Sequence, residues 1–209
     1  QVACNNCGGA CTEFAYCCRD LNMGLAKGEY NFVRCLDCGL LYLNPRPDPA
    51  ELGGYYPERY YERASGMLFA VKNLILRLET LKFRGVINTS SKILEMGCGT
   101  GDFLAVFKRE FGCSVAGIEP TGFAAQRAEE KGIRLFPSLS GASAGGPFDL
   151  VILKHVIEHL PDPIGELKTI NSLMAGEGLL NLWLPMADTP EQRLFGSFWQ
   201  GFDAPRHLY

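Results

Sequence analysis

The chain has 209 residues, of which 47% are hydrophobic and 21% charged, and its formal net charge is −3. These proportions are ordinary for a soluble globular protein and allow one substantial core with a small accessory module. Apolar runs stay well short of the ~20 residues of a membrane span, and no Lys/Arg-rich run favours binding to a nucleic-acid backbone. The sequence also opens without the basic and apolar stretches of a secretion signal. We therefore expect a cytoplasmic protein with no membrane partner and no nucleic-acid partner.

Two Cys-x-x-Cys pairs stand 27 residues apart, and a glycine follows each pair. The four cysteines are Cys4, Cys7, Cys35 and Cys38, and the two glycines are Gly8 and Gly39. Two such knuckles can hold four thiolates tetrahedrally around Zn²⁺, with each glycine relieving the tight turn after the second ligand. The segment between the pairs carries too few apolar residues for a core of its own, so a bound metal would supply the missing folding free energy. The spacing predicts a structural zinc site in a zinc-ribbon module.

The other five cysteines are weaker candidates for metal ligands. The total of nine is odd, which favours a reducing compartment with a metal site over a disulfide framework. Cys11, Cys17 and Cys18 lie between the two pairs and could compete as ligands, whereas we expect Cys98 and Cys113 to be packing residues. Four unrelated thiols or a redox Cys-x-x-Cys are the alternatives. The redox interpretation is the weaker, since neither pair begins a helix in a βαβ unit.

A proline- and tyrosine-rich segment follows the second pair. Residues 41–49 are predicted to be extended, since three prolines at alternate positions exclude a helix. Four tyrosines then come within seven residues: Tyr55, Tyr56, Tyr60 and Tyr61. Either they form an amphipathic seam between modules, or one or two of their rings close over a ligand cleft.

Residues 64–84 have apolar side chains at helical spacing, with charged side chains on the other faces. The apolar positions are Met67, Leu68, Val71, Leu74, Ile75, Leu78 and Leu81. We expect this helix to pack on the sheet before its first strand.

Residues 94–101 read Leu-Glu-Met-Gly-Cys-Gly-Thr-Gly, directly after a short apolar stretch. This pattern predicts a strand that ends in Glu95 and leads into a glycine-rich turn, with a helix beginning at Asp102. Glycines at 97, 99 and 101 let the backbone turn sharply and approach a ligand closely. A dinucleotide-binding turn would have a glycine in place of Asp102, and an acid there would repel a pyrophosphate at the helix N-terminus.

Strands and helices then alternate to the end of the sequence. We predict strands at 114–119, 133–136, 148–153 and 178–184, and helices after the glycine turn, at 122–131 and at 164–174. Gly132 suits the end of the second of these helices. Such alternation implies a parallel sheet with right-handed crossovers, covered on both faces, which binds ligands beyond the carboxyl ends of its strands.

The stretch Glu-x-Gly-x-Gly-x-Gly resembles the first motif of class I S-adenosylmethionine-dependent methyltransferases. From about residue 4 to residue 209 the chain is similar to a bacterial small-molecule methyltransferase with a zinc ribbon. The resemblance rests also on the double Cys-x-x-Cys, on Asn-Pro-Arg-Pro at 44–47, on Lys-His-Val-Ile-Glu-His-Leu-Pro-Asp-Pro at 154–163 and on the segment 198–209. It implies a Rossmann-like α/β fold, S-adenosylmethionine as cofactor, and methyl transfer to a small metabolite such as a sugar or nucleotide-linked sugar.

Several residues at the carboxyl ends of the strands are predicted to bind the cofactor. An acid that ends the second strand, Glu119, can accept both hydroxyls of a ribose. Ser138 and Leu139 stand where an adenine could be wedged. The full set predicted to bind cofactor is Glu95, Gly97, Cys98, Gly99, Gly101, Glu119, Pro120, Ser138, Leu139, Lys154 and His155.

Three histidines are available: His155 is predicted to line the cofactor side of the cleft, and the other two are candidates for acid–base chemistry, which is needed only if the acceptor must lose a proton. His207 lies on a segment that returns over the active site in similar enzymes, and we favour it as the acid/base or substrate contact. Tyr60 or Tyr56 would be its partner. His159 is the second candidate, with a structural hydrogen-bonding role as the alternative.

The sequence thus predicts a zinc-ribbon module at 1–46, a connector with a packing helix at 47–84, and a methyltransferase domain at 85–209. Class I methyltransferases usually finish with a sixth and a seventh strand, and these are missing here, so we expect a piece of a longer protein. Three alternatives stay open: an RNA methyltransferase that uses the zinc ribbon, an NAD-linked oxidoreductase, and a non-catalytic binding module. The glycine spacing disfavours the oxidoreductase.

Overall fold

A computed structural model describes residues 1–56 and 66–209. Its strands are β1 Thr12–Cys18, β2 Tyr30–Cys35, β3 Leu41–Leu43, β4 Lys92–Met96, β5 Ser114–Ile118, β6 Arg134–Phe136, β7 Phe148–Lys154 and β8 Met174–Trp183. Its helices are α1 Pro49–Leu52, α2 Gly66–Leu81, α3 Asp102–Phe111, α4 Gly122–Glu130, α5 Leu139–Ala142, α6 Pro163–Leu173 and α7 Pro190–Phe195. None of the described helices is long and apolar enough to cross a bilayer.

The chain forms two compact units, and the first is discontinuous in sequence. It comprises residues 1–57, 155–165 and 184–209, and the second comprises residues 58–154 and 166–183. The two units are defined by the contacts within each of them. The domain boundaries at 46/47 and 84/85, which we inferred from the sequence, stay a prediction.

The first unit is built on the antiparallel sheet β1-β2-β3. Phe32 and Leu43 of this sheet are fully buried, and they share a core cluster with Trp199, Phe202 and Leu208. Residues 184–209 therefore supply much of the apolar surface that a three-stranded sheet lacks on its own.

The second unit is a five-stranded sheet in the order β6-β5-β4-β7-β8, with every neighbouring pair parallel. Strand β7 is a nearly continuous run of buried apolar residues, and Ile93 and Leu94 of β4 are fully buried, as expected where helices cover both faces. The strand order reverses between β4 and β7, so the ligand-binding crevice of this fold lies at the carboxyl ends of these strands. The predicted Rossmann-like α/β fold is confirmed.

Helix α2 differs from the sequence prediction in the face that it buries. Its buried residues include Leu76 and Thr80, whereas Val71, Leu74, Ile75 and Leu78 are 48–58% exposed. Lys72 and Arg77, predicted to lie on polar faces, form ion pairs with Asp102 and Glu110 at the two ends of α3. Leu76 shares a core cluster with Ile93 and Ile152 of the sheet, but four of the seven apolar positions are exposed, because a pattern cannot say what covers each face.

Candidate functional site

The four cysteines of the two Cys-x-x-Cys pairs come together in the first unit. The Sγ atoms of Cys4 and Cys38 lie 3.5 Å apart, as do those of Cys7 and Cys35, and all four lie within 4.8 Å of one another. Tetrahedral Zn–S bonds of about 2.3 Å would separate the sulfurs by about 3.8 Å. The cluster therefore has the donor set and the dimensions of a structural zinc site.

The two knuckles have matching backbone geometry. Gly8 donates its N–H to the carbonyl of Cys4 at 2.8 Å, and Gly39 donates to the carbonyl of Cys35 at 2.9 Å. Both glycines have left-handed φ angles, of 77° and 78°. The predicted role of a glycine after each pair is confirmed, since a side chain would strain either position. The backbone N–H of Leu40, with the side chain of Asn6, lowers the pKa of Cys38 to about 6, which favours a thiolate.

The glycine turn lies at the carboxyl end of β4, where the strand order reverses. Gly97, Gly99 and Gly101 all have left-handed φ angles, between 53° and 71°. The N–H groups of Gly97 and Cys98 both donate to the carbonyl of Ile118, which ties the turn to the end of β5. Only glycine adopts these φ angles without strain. The turn therefore places its backbone at the carboxyl ends of the strands, where we expected a ligand to bind.

Glu119 directly follows β5, the strand next to β4, and its side chain is hydrogen-bonded to the glycine turn. Its carboxylate accepts the N–H of Gly99 at 2.8 Å on one oxygen and the N–H of Thr121 at 2.9 Å on the other. Each carboxylate oxygen has a second lone pair. The side chain is therefore fixed in position while it keeps acceptor capacity for two hydroxyl groups.

Glu95 is buried beneath the same turn, and one of its carboxylate oxygens has no hydrogen-bond partner among the described residues. Burial, together with the nearby negative charges of Asp102 and Glu119, raises the pKa of this carboxyl to about 8 against the opposing charge of Lys154. An unpartnered buried acid is costly in the free protein. A cationic ligand group would relieve that cost.

Asp102 at the start of α3 requires a correction to the sequence argument. Its carboxylate is paired with Lys131 and, at 2.9 Å, with Lys72. Although burial acts to raise the pKa of Asp102, these lysines hold it below the ordinary value. Because the charge is compensated, the expected repulsion of a pyrophosphate is weaker than the sequence suggested, and the case against a dinucleotide rests on the glycine spacing.

Lys154 ends β7 and is largely buried among aromatic rings. Its Nζ pairs with Glu79 at 2.6 Å and lies 4.5 Å from the ring centroid of Trp183 and 5.1 Å from that of Phe103. The sequence interpretation placed Lys154 at the ligand edge but gave no role to Glu79 or Trp183. No spacing signal links these residues, because their proximity depends on the tertiary fold.

The remaining predicted cofactor contacts lie on loops that follow the strands. Ser138 caps α5 by accepting the N–H of Gly141 at 3.2 Å, and Leu139 is buried. Pro120 is exposed beside Glu119. His155 follows β7 with a left-handed φ of 55°, which is rare for a residue other than glycine, and its side chain is 55% exposed. Their part in cofactor binding stays a prediction.

In the first unit, the two candidate catalytic histidines pack against each other. The rings of His159 and His207 lie edge to face with centroids 4.6 Å apart. His159 Nδ1 lies 2.9 Å from the carbonyl oxygen of Arg206 and 2.8 Å from the hydroxyl of Tyr56. The tyrosine suggested as a partner of His207 thus contacts His159 instead, and Tyr60 lies outside the described residues, as does Tyr61. Burial and the charge of His207 lower the pKa of His159 to about 4.

Glu158 completes this histidine cluster. Its side chain is 1% exposed, and His155 Nδ1 at 3.4 Å and His207 Nε2 at 4.0 Å are the basic atoms near one of its oxygens. Burial acts to raise the pKa of Glu158, but His155, the backbone N–H of Glu158 itself and the charges of His159 and His207 outweigh it and hold the pKa below its ordinary value. The sequence gave Glu158 no role, although it directly precedes a candidate histidine.

A buried charge network beside the cluster was also missed. Arg206 is fully buried and donates to Asp20 at 2.7 Å and to Asp203 at 2.6 Å. Asp20 also accepts the backbone N–H groups of Met23, Leu25 and Ala26. The partners are 186 residues apart, so no local pattern could reveal the pair.

A family model described as a methyltransferase domain matches residues 70–209, about two thirds of the chain. The chain belongs to the methyltransferase-domain family. The match includes the glycine turn, Glu119, Lys154 and the histidine cluster. The prediction of a class I methyltransferase from the glycine turn is confirmed at the level of family and fold.

Curated relatives of this methyltransferase domain include two ubiquinone biosynthesis O-methyltransferases. The protein of Actinobacillus pleuropneumoniae serotype 7 is 28% identical over 118 residues, which cover 50% of each chain. The protein of Haemophilus ducreyi is 30% identical over 104 residues, covering 44% of each. The chain therefore spans about half the length of the curated relatives it matches.

Among solved structures, CalS10 from Micromonospora echinaspora, an amino pentose methyltransferase with S-adenosylmethionine bound, is similar to this methyltransferase domain. It has 20% sequence identity and a TM-score of 0.44, covering 59% of this chain and 60% of that chain.

Proposed function

We propose that the chain is an S-adenosylmethionine-dependent methyltransferase that acts on a small-molecule acceptor. The observation that carries this proposal is the turn of three left-handed glycines at the end of β4, fixed by the carboxylate of Glu119. The turn offers close backbone approach, and Glu119 keeps two free acceptor positions for a ribose. Membership of the methyltransferase-domain family supports it.

Different residues at the carboxyl ends of the strands would bind different parts of the cofactor. Glu119 would accept the two ribose hydroxyls, and Glu95 would offer its unpartnered oxygen to the ammonium of the amino-acid part. Ser138 and Leu139 would bound the adenine. The backbone of the glycine turn, with Cys98 as a small side chain, leaves room for the chain that joins these parts.

Methyl transfer needs little covalent chemistry from the protein. Bound S-adenosylmethionine supplies an electrophilic methyl group, and the protein must align an acceptor atom in line with it. Where the acceptor is a hydroxyl group, its proton must leave as the new bond to carbon forms; where it is an ammonium group, the proton must leave first, to free the lone pair that attacks. We assign that proton to the pair His159 and His207, with His207 as the group that meets the acceptor.

A small-molecule acceptor is favoured over RNA by the charge of the N-terminal part. Residues 1–66 contain six Lys/Arg and eight Asp/Glu, so this part is mildly acidic. A module that grips nucleic acid would be basic, because phosphate contacts supply most of the affinity. Among small molecules, a sugar or nucleotide-linked sugar is the acceptor class that we propose.

The four-cysteine cluster is proposed to hold a structural zinc ion. The thiolates of Cys4, Cys7, Cys35 and Cys38 would fill all four tetrahedral positions, which leaves none open for chemistry. The ion would fix the two knuckles to each other and so hold β1 and β2 in register. Its contribution is to folding rather than to methyl transfer.

Calorimetric titration with S-adenosylhomocysteine, and separately with NAD, tests the cofactor. Saturable binding of S-adenosylhomocysteine alone is expected. The variant Glu119→Gln should weaken it by about 10–100-fold, since hydrogen bonds to a charged acceptor are worth about 1.5–3 kcal/mol. Glu130→Gln, a change of an exposed acid on α4, is the matched control and should bind as the unaltered chain does. Binding of NAD instead, or undiminished affinity of a folded Glu119→Gln variant, would overturn the assignment.

The raised pKa of Glu95 predicts that cofactor binding depends on pH. The free protein keeps this carboxyl protonated below about pH 8, whereas pairing with an ammonium group requires the charged form. Binding must therefore release a proton at neutral pH, and the affinity for S-adenosylhomocysteine should rise between about pH 6 and pH 8 and level off above that.

Calorimetry in two buffers of different ionisation enthalpy measures the proton release directly. Glu95→Gln should abolish it and flatten the pH dependence. For stability the sign is opposite to that of a salt-bridged acid: a carboxyl whose pKa is raised on folding costs stability as the pH climbs from about 4.5 to 8. Buffer-independent heats in the unaltered chain would show that Glu95 does not pair with the ligand.

A further inference from the structure

The carboxylate of Glu158 is buried, and within residues 1–56 and 66–209 neither oxygen has a partner at normal hydrogen-bond geometry. Both of its oxygens are shielded from solvent. A buried charge in this state is costly unless something compensates it. Its nearest basic atom, His155 Nδ1, is 3.4 Å away on a side chain that is 55% exposed. This is a poor partner for a buried carboxylate.

The two histidines beside it are oriented by backbone carbonyls in the same way. His159 Nδ1 lies 2.9 Å from the carbonyl oxygen of Arg206, and His207 Nδ1 lies 2.8 Å from that of Gly201. A carbonyl can only accept, so each Nδ1 carries the proton, which on His159 is shared with the hydroxyl oxygen of Tyr56. In the neutral form of each ring, Nε2 then carries the lone pair that can bind a metal ion. Metal-bound histidines are oriented by this same arrangement.

The three side chains also have the dimensions of a metal site. One ligand atom each from Glu158, His159 and His207 can be chosen so that all lie within 4.8 Å of one another, and Glu158 Oε1 and His207 Nε2 are 4.0 Å apart. Donors that share an ion with bonds of about 2.0–2.2 Å lie roughly 3–4 Å from each other. The upper limit of 4.8 Å exceeds this spacing by about 1 Å, so side-chain rotation must bring the donors closer by up to that distance when the ion binds.

We propose that Glu158, His159 and His207 bind a divalent transition-metal ion, at a site separate from the four-cysteine cluster. Two imidazoles with one carboxylate suit Zn²⁺, Fe²⁺ or Mn²⁺ rather than Mg²⁺ or Ca²⁺, which prefer oxygen ligands alone. Three protein ligands leave coordination positions open, as in metal sites that act on a substrate.

The site also bears on how the acceptor loses its proton, a point that rests on the proposed function. An acceptor hydroxyl on an open position of the ion would have its pKa lowered by the charge of the metal. With the ion bound, the proton would leave to water while the two imidazoles hold the ion, so the proton transfer assigned above to His159 and His207 applies to the chain without this ion. Metal binding itself does not depend on methyl transfer, and it is tested without it.

The two sites can be told apart with Co²⁺, because only the four-cysteine site supplies thiolate ligands. Titration of the metal-free full chain should give one ion with intense thiolate charge-transfer absorption and one further ion without it. X-ray absorption on the second ion should show nitrogen and oxygen neighbours only. A chain that binds a single ion, or a second ion with sulfur neighbours, would overturn the proposal.

Two variants and a matched control locate the second ion. Glu158→Gln keeps the size of the side chain, and it should weaken binding of the second ion by at least about 10-fold while leaving the thiolate band intact. His207→Gln should do the same. Glu191→Gln alters an exposed acid on α7 of the same unit and should bind as the unaltered chain does. Full retention of the second ion in a folded Glu158→Gln variant would exclude this ligand set, whatever the S-adenosylhomocysteine titration shows.

Discussion

Cys35→Ser is expected to abolish zinc binding and to unfold the three-stranded sheet of the first unit. Removing one thiolate breaks the tetrahedral set that joins the two knuckles, and structural zinc contributes about 10–16 kcal/mol to small zinc modules. That exceeds or matches the 5–15 kcal/mol that stabilises a typical domain. Hydrogen exchange of the amides of β1, β2 and β3 should rise to the unprotected rate in the variant, and in the unaltered chain after a strong chelator is added.

Cys11→Ser is the control, because Cys11 is exposed and stands outside the four-cysteine cluster. It should leave both the zinc content and the amide protection unchanged. Amide protection that survives chelation would mean that packing against residues 184–209 alone supports the sheet. The zinc would then be dispensable for folding.

Arg206→Met is expected to destabilise the first unit by about 3–5 kcal/mol. It leaves the buried carboxylates of Asp20 and Asp203 without their shared cation, and an uncompensated buried charge carries a penalty of that order. Urea unfolding measures the loss. Arg19→Met is the matched control: its ion pair with Glu29 is largely exposed and should be worth less than about 1 kcal/mol.

A double variant separates two effects on the free energy of unfolding: the penalty for leaving the buried Asp20 carboxylate unpaired, and the net stabilisation by the ion pair of Asp20 with Arg206. Asp20→Leu with Arg206→Met removes the cation and one of its two carboxylates, with Asp203 left in place, and it should recover part of the stability lost in Arg206→Met alone. The paired state also predicts the effect of acid. Burial acts to raise the pKa of Asp20, but Arg206 and three backbone N–H groups hold this pKa well below its ordinary value. The ionised carboxylate therefore contributes to the stability of the first unit above about pH 4, and this contribution is lost as the pH falls further. A double variant no more stable than the single one would refute this account.

The sequence was sufficient wherever a local pattern had one physical explanation. Left-handed glycines after each Cys-x-x-Cys pair and in the turn after β4 were predictable, because backbone geometry there demands glycine. The parallel sheet followed from the alternation of strands and helices, with errors only at the ends: β8 begins at Met174 rather than at 178. Cys113 is a buried packing residue, as predicted.

What could not be predicted depends on contacts between distant residues. Asp102 was taken for an uncompensated charge because Lys131 and Lys72 reach it only in the folded chain. The apolar stripe of α2 could not reveal which side is covered. Glu158 is the clearest case: next to a candidate histidine it resembles an ordinary surface acid, and only its burial singles it out.

The three-segment composition of the first unit has a consequence for synthesis on the ribosome. Residues 1–56 leave the ribosome before the second unit does. However, Leu43 donates its N–H to the carbonyl of Leu208, and Asp20 forms its ion pair with Arg206. The whole second unit must be made before these partners exist. During that interval Phe32 and Leu43 have no cover from residues 184–209, so the early cysteine-rich stretch is the part of the nascent chain most exposed to aggregation and most dependent on chaperones.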